Sequence, residues 1–166
     1  MFAKIDDFEK EWALESAATI KIMRALTDAS LAQKVYPEGR TLGRMAWHIL
    51  LSLGEMGQKA GLAVESPAEN VPVPSTADAI AKAYEKAANS ISWQVKKQWT
   101  DEKLADVIEM YGEKWSRGFT LYVLIKHEIH HRAQMTVLMR QAGLKVPGVY
   151  GPAREEWAAY GAPAAE

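Results

Sequence analysis

Leu121-Tyr122-Val123-Leu124-Ile125-Lys126-His127-Glu128-Ile129-His130-His131-Arg132-Ala133-Gln134-Met135 is the stretch on which the reading of this chain turns. It belongs to a helix that begins near Ser116 or Gly118 and ends at Gly143, a natural C-terminal stop. At ~100° per residue its apolar side chains leave the usual single stripe. Leu121, Leu124, Met135, Leu138 and Met139 cover one side, while Tyr122, Ile125 and Ile129 lie well around from them. Such a helix is buried on most of its sides. One side would face a bundle core and another a second subunit, so a homodimer is expected.

Working outward, the earlier chain carries three more helices. Ile5, Phe8, Trp12, Ile22, Met23 and Leu26 recur at spacings of three and four. After the break at Pro37 and Gly39, Thr41 is a candidate N-cap for a helix through Leu42, Met45, His48, Ile49 and Leu53 towards Gly61. Residues 63–75 hold Pro67, Pro72 and Pro74 and read as a long loop. That loop suits a crossover between two helices running the same way. Ser75 or Thr76 can cap a third helix reaching Trp99, with Ile80, Tyr84, Ile91 and Val95 inward. Thr100-Asp101-Glu102 starts a short helical turn, and Gly112 interrupts the less regular residues beyond it. A last short helix starts at Pro152 and includes Trp157, and the tail from Ala162 to Glu166 should fray. No alternating run is long enough to read as a strand. The expected fold is an all-α four-helix bundle forming one domain over residues 1–166, with a short C-terminal helix.

Composition narrows the function. The 166 residues are 48% apolar, enough for a sizeable core. There is no cysteine, which excludes a disulfide framework, a thiolate metal site and a cysteine nucleophile. The formal net charge is −1 with no basic block, which argues against nucleic-acid binding. The N-terminus has acids where a signal peptide needs a basic start, and no stretch approaches the roughly 20 apolar residues of a membrane span. A cytoplasmic location without membrane contact is the expectation.

Three of the four histidines sit together at 127, 130 and 131, and the fourth is His48. Imidazole is the commonest metal ligand in proteins. Residues four apart on a helix lie one above the other, about 5–6 Å between Cβ atoms. His127 and His131 can therefore reach one ion, with His48 as the third ligand. The four-residue spacing favours His131 over His130 without settling between them. Three histidines with an open position is a catalytic pattern, since structural sites are usually closed. A lone His48 would by itself be an ordinary core or surface histidine. Two imidazoles at i and i+4 on an apolar helix are costly to bury without a common purpose.

Three other readings compete. His127-Glu128-Ile129-His130-His131 matches the zinc-protease pattern, with Glu128 as general base and Glu155 or Glu156 as further ligand. Position 137 is Val where a metzincin has its third histidine, and no strand edge is evident to hold a peptide. Glu128 and His131 also form the Glu-x-x-His of di-iron bundles, which need a second copy that this chain lacks. A purely structural bundle is the third. Glu128 faces either a subunit interface or a ligand from behind, and His130 lines the pocket or meets a partner. Glu55 shares the face of His48, too far for ligation. Trp47, Trp115, Arg44 and Arg117 are candidates for the pocket, with ordinary packing or solvation as the alternative.

His48 in the second helix, followed by His127-Glu128-Ile129-His130-His131-Arg132-Ala133-Gln134 in the fourth, resembles the DinB-like (damage-inducible) superfamily. Gly148-Val149-Tyr150-Gly151-Pro152 and Glu155-Glu156-Trp157 resemble its C-terminal segment. Ala133 stands where relatives often have Gly. The resemblance implies a four-helix bundle with a crossover connection and a divalent metal, zinc or nickel, on His48, His127 and His131, preferring His131 to His130. It also implies dimers and, by likeness to better-understood relatives, transfer of a low-molecular-weight thiol as cosubstrate to a small molecule. A hydrolase using a metal-activated water is the alternative, and a non-enzymatic metal-binding bundle the third possibility. The sequence assigns no general base.

Overall fold

The computed structural model describes residues 1–164. Four long helices carry it: α1 (Ile5–Arg24), α2 (Leu42–Lys59), α3 (Ala77–Gln98) and α4 (Arg117–Gln141). Their starts have chemical causes. Thr41, Thr76 and Ser116 are extended N-cap residues whose hydroxyls accept from the backbone N–H of Arg44, Ala79 and Phe119. Each such cap contributes about 1 kcal/mol. Acids in the first turn of α1 and basic residues in the last turns of α1 and α3 complement the helix dipole.

The helices form a ring in the order α1, α3, α2, α4. Side-chain contacts give their directions. Trp12 Nε1 donates to the Ala88 carbonyl and Ser92 Oγ to Glu9, so α1 and α3 run antiparallel. Phe2 lies against Gly118 and Glu15 against Arg132, so α1 and α4 run parallel. The segment after α2 turns back along it. Gly57 lies beside Val64, Gly54 beside Ser66, and Trp47 Nε1 donates to Val71 O. The chain thus returns to the N-terminal end of α2 before α3 begins, where Ala77 N donates to Asp28. α2 and α3 are parallel, and residues 60–76 are the expected crossover. Its close approach depends on two glycines. A Cβ at Gly54 would collide with Ser66 Oγ, and one at Gly57 would collide with Val64 Cγ2.

The core lies along the ring axis. Phe8, Ile22, Met23, Leu42, Leu50, Ile80, Tyr84 and Ile91 are fully buried there. Each such apolar side chain stabilises the fold by roughly 1.5–3 kcal/mol. α4 is covered by α1, α2 and the segment before it, all within this chain, and Ile125 is buried among them.

One expectation fails. Residues 107–116 hold a two-stranded antiparallel hairpin, β1 (Val107–Met110) and β2 (Glu113–Ser116), where no strand was expected. Its two-residue turn is Tyr111-Gly112, with φ of 54° and 81°. Positive φ at both central residues is the hairpin turn whose twist matches its strands. Gly112, expected only to interrupt the less regular residues there, makes that turn possible. Met110 is the fully buried residue of the hairpin, and Ile108 is half-buried. The expected short C-terminal helix is a 3-10 helix, Arg154–Tyr160, which starts two residues after Pro152 and includes Trp157. The fraying expected of the tail falls in part on residues 165 and 166, outside the described residues. No helix among the described residues is long and apolar enough to cross a membrane.

Candidate metal centre

α2 and α4 run antiparallel and bring the distant histidines together. Trp47 and Ile49, either side of His48, are buried. Their anchoring leaves His48 half-buried on the flank that faces α4. The ring centroid of His48 lies 5.1 Å from that of His127 and 4.6 Å from that of His131. One ligand atom from each of the three lies within 4.8 Å of the others. His127 Nε2 and His131 Nε2 stand 3.1 Å apart. Two nitrogens bound tetrahedrally to one zinc at 2.0–2.1 Å would be separated by about 3.3 Å. The residues present therefore fit a divalent ion, and the group could hold one. His130, the competitor of His131, is outside the cluster. It is exposed, with its Nε2 against the Gln134 amide nitrogen at 3.1 Å.

The electrostatics suit neutral donors. Partial burial lowers His48 to about 4, helped by the other two imidazoles and by Arg40 and Arg44. Burial likewise lowers His127 to about 4, with His131, His130 and Arg40 acting in the same direction. His131 is also lowered by burial, against the opposing effect of its hydrogen bond to Gln134 Oε1. All three shifts favour the uncharged imidazole, which is the form that binds a cation.

One residue further on, α4 carries a second i, i+4 pair that faces elsewhere. Glu128 and Arg132 are 1% and 2% exposed, inside the bundle between α1 and α3. Glu128 accepts from Thr19 Oγ1 at 2.8 Å. Arg132 donates to Glu15 Oε2 at 2.6 Å, to the Glu15 carbonyl at 2.9 Å and to Thr19 Oγ1 at 3.1 Å. Tyr150, from the loop after α4, donates to Glu15 at 2.8 Å and accepts from Arg132 at 2.5 Å. Burial lifts Glu128 to about 7, while Thr19, Tyr84 and the Arg132 charge pull it down. Glu128 is therefore a core residue of an ion-pair network. It faces neither a subunit interface nor the imidazoles, and the zinc-protease assignment of Glu128 as general base fails on this geometry.

The other candidates fall into distinct places. Arg44 and Glu55 border His48 in a groove of about 190 Å³ between α2 and the crossover, which contributes Pro67 and Glu69 to its lining. Trp47 is core packing. Trp115 lies on the hairpin, donating to Glu113 at 2.7 Å. Arg117 pairs with Asp106 at 2.9 Å over the Trp99 ring and does not reach the groove. Glu155 pairs with Arg140, and Glu156 accepts from the backbone of Gly148 and Ala153, so neither is a ligand. Sequence reasoning missed Glu15, Thr19 and Tyr150. Glu15 and Thr19 had a signal, since they continue the inward spacing of Phe8 and Trp12 with polar residues.

An up-down-down-up bundle with a crossover and a cluster of three imidazoles defines a class of helical scaffold that could hold a metal ion. The chain belongs to the DinB family, whose model matches residues 1–165. It is 47% identical over 161 residues to YrdA, an uncharacterised protein of Bacillus subtilis (strain 168), covering 97% of this chain and 96% of that one. A crystal structure of a DinB-like protein from Bacillus cereus ATCC 10987 superimposes with a TM-score of 0.87 at 41% identity, over 90% of this chain and all of that chain. A DinB-like protein from Bacillus subtilis shares the fold, with a TM-score of 0.66 at 23% identity over 86% of this chain and 96% of its own.

Proposed function

We propose that His48, His127 and His131 hold one divalent metal ion, zinc or nickel, and that the loaded protein is a cytoplasmic enzyme transferring a low-molecular-weight thiol to a small electrophile. The observation that carries this is the convergence of three neutral, half-buried imidazoles beside an open polar groove. A divalent ion on three uncharged donors keeps its full charge and supplies Lewis acidity, which favours loss of a proton from a thiol or a water at neutral pH. In the transfer the thiol gives up its proton, a sulfur–carbon bond forms, and the leaving group departs with its electron pair. The chain's own part is to hold the imidazoles neutral and to bracket the substrate. Arg44 offers a cation beside His48, and Glu55 and Glu69 offer carboxylates along the groove. With no cysteine in the chain, the sulfur must come from the cosubstrate.

The protein is also proposed to pair with a second copy along α4, where half-buried Tyr122 and Ile129 share a stripe with exposed Ala133 and Val137. Sedimentation showing only monomer at micromolar concentration removes this.

The test begins with elemental analysis of protein purified without a histidine tag. About one equivalent of metal is expected in the wild type and in His130→Ala, and none in His48→Ala or His131→Ala. The loaded protein is then assayed with several thiols and chlorodinitrobenzene or an epoxide, with His48→Ala as control. Turnover on ester or amide panels instead would make it a hydrolase. Metal without either activity would make it a binding bundle.

A further inference from the structure

The three imidazoles are not supported alike. Among the described residues, His131 is the one of the three whose second ring nitrogen has a side-chain partner. Gln134 Oε1 lies 2.7 Å from His131 Nδ1. The same amide presents its nitrogen to His130 Nε2 at 3.1 Å. Gln134 thus bridges two adjacent imidazoles, one turn along α4 from both. We propose that Gln134 is a positioning residue for the metal centre, fixing the tautomer and aim of His131, and that His130 serves by fixing Gln134. The inference rests on the metal reading above.

Proton placement is decisive. His131 Nε2 points at His127 Nε2, so it is the nitrogen that must offer a lone pair to an ion. Its proton then sits on Nδ1 and needs an acceptor. An amide oxygen is an acceptor, and an amide nitrogen is not. With Oε1 taken by His131, the amide N–H must find an acceptor of its own, and His130 Nε2 is placed for it. With His131 Nε2 kept free for an ion, the assignment is that His131 Nδ1–H donates to Gln134 and Gln134 N–H donates to His130. The amide turned over would donate to His131 Nδ1 instead. That would move the imidazole proton to Nε2 and block the ligand lone pair. His130, with its own proton on Nδ1, accepts from this amide and so supports the orientation in which His131 can bind. This gives a physical role to a histidine that lies next to a ligand without being one. Such outer contacts orient metal-bound imidazoles, and their loss typically costs 10–100-fold in metal affinity.

The experiment measures cobalt(II) and zinc affinity by chelator competition in wild type, Gln134→Leu, Gln134→Glu and His130→Ala. Long-range 1H–15N spectra of the imidazoles report the tautomer. Gln134 is exposed, so the variants should keep the wild-type circular dichroism and unfolding temperature. Gln134→Leu is expected to weaken binding about tenfold or more and to free the His131 tautomer. Gln134→Glu keeps an acceptor at the same place and should bind at least as tightly as wild type. His130→Ala should retain one equivalent but bind less tightly than wild type, by a smaller factor than Gln134→Leu. Wild-type affinity in Gln134→Leu, or Gln134→Glu as weak as Gln134→Leu, would overturn the proposal while leaving the metal centre standing. A wild type that takes up no metal would overturn the metal centre itself, and this inference with it.

Discussion

Two faces of α4 make the same kind of pair and put it to opposite uses. His127 and His131 are four residues apart, and so are Glu128 and Arg132, each one position further on. One residue turns a helix by about 100°, so the second pair enters the core while the first stays at its margin. The second pair is buried, and Glu15 and Thr19 of α1 and Tyr150 of the loop after α4 share five hydrogen bonds with it. The imidazole pair is half-buried, its two Nε2 atoms 3.1 Å apart and turned towards His48. A motif written along the sequence cannot distinguish these faces. It merges His127, Glu128 and His131 into one signature, whereas the helix assigns them to two environments.

The contrast can be broken at several points. The largest effect is expected from Arg132→Met, which keeps the volume but strands the Glu15 carboxylate in the core. Removing one member of a buried ion pair costs about 3–5 kcal/mol. Thermal unfolding should fall by roughly 10 °C in consequence. A melting temperature unchanged from wild type would mean that the sealed face does not hold the bundle. Next comes metal addition. Zinc at a hundred times its Kd should raise wild-type stability by about 2.7 kcal/mol and that of His48→Ala not at all. Equal gains in both proteins would place the zinc elsewhere. A smaller loss, about 1 kcal/mol, is expected for Tyr150→Phe, which removes only a hydroxyl from the network. Denaturant titration reads it. The smallest effect sharpens the comparison most. Glu128→Gln should leave metal content at one equivalent, and loss of the metal would show that the two faces are not independent.

Much of the fold and site was legible in the sequence, for local reasons. Thr41, Thr76 and Ser116 announce helix starts because a cap acts within three residues. The imidazole cluster was legible because four histidines leave few combinations, and His127 and His131 are neighbours on one turn. The hairpin was not. Its strands are four residues each, and its turn uses Tyr111 at positive φ where Asn or Asp would have advertised it. The ion-pair network was hidden for a different reason. Glu15 and Arg132 are 117 residues apart, and only the parallel packing of α1 on α4 joins them. Gln134 was in view, but its role depends on which way an amide faces.

The ring order also governs when the molecule can come together. α1 scarcely touches α2, the next helix to leave the ribosome, and its first large partner is α3. α3 likewise scarcely touches α4. The nascent chain therefore holds an unsatisfied α1 until α3 has been made, and α2 cannot close the site until α4 arrives. Contacts between segments so far apart in sequence form late and slow the search for the native state. No half of this chain is a smaller working version of the whole. The site and the bundle are completed by the same last long helix, α4.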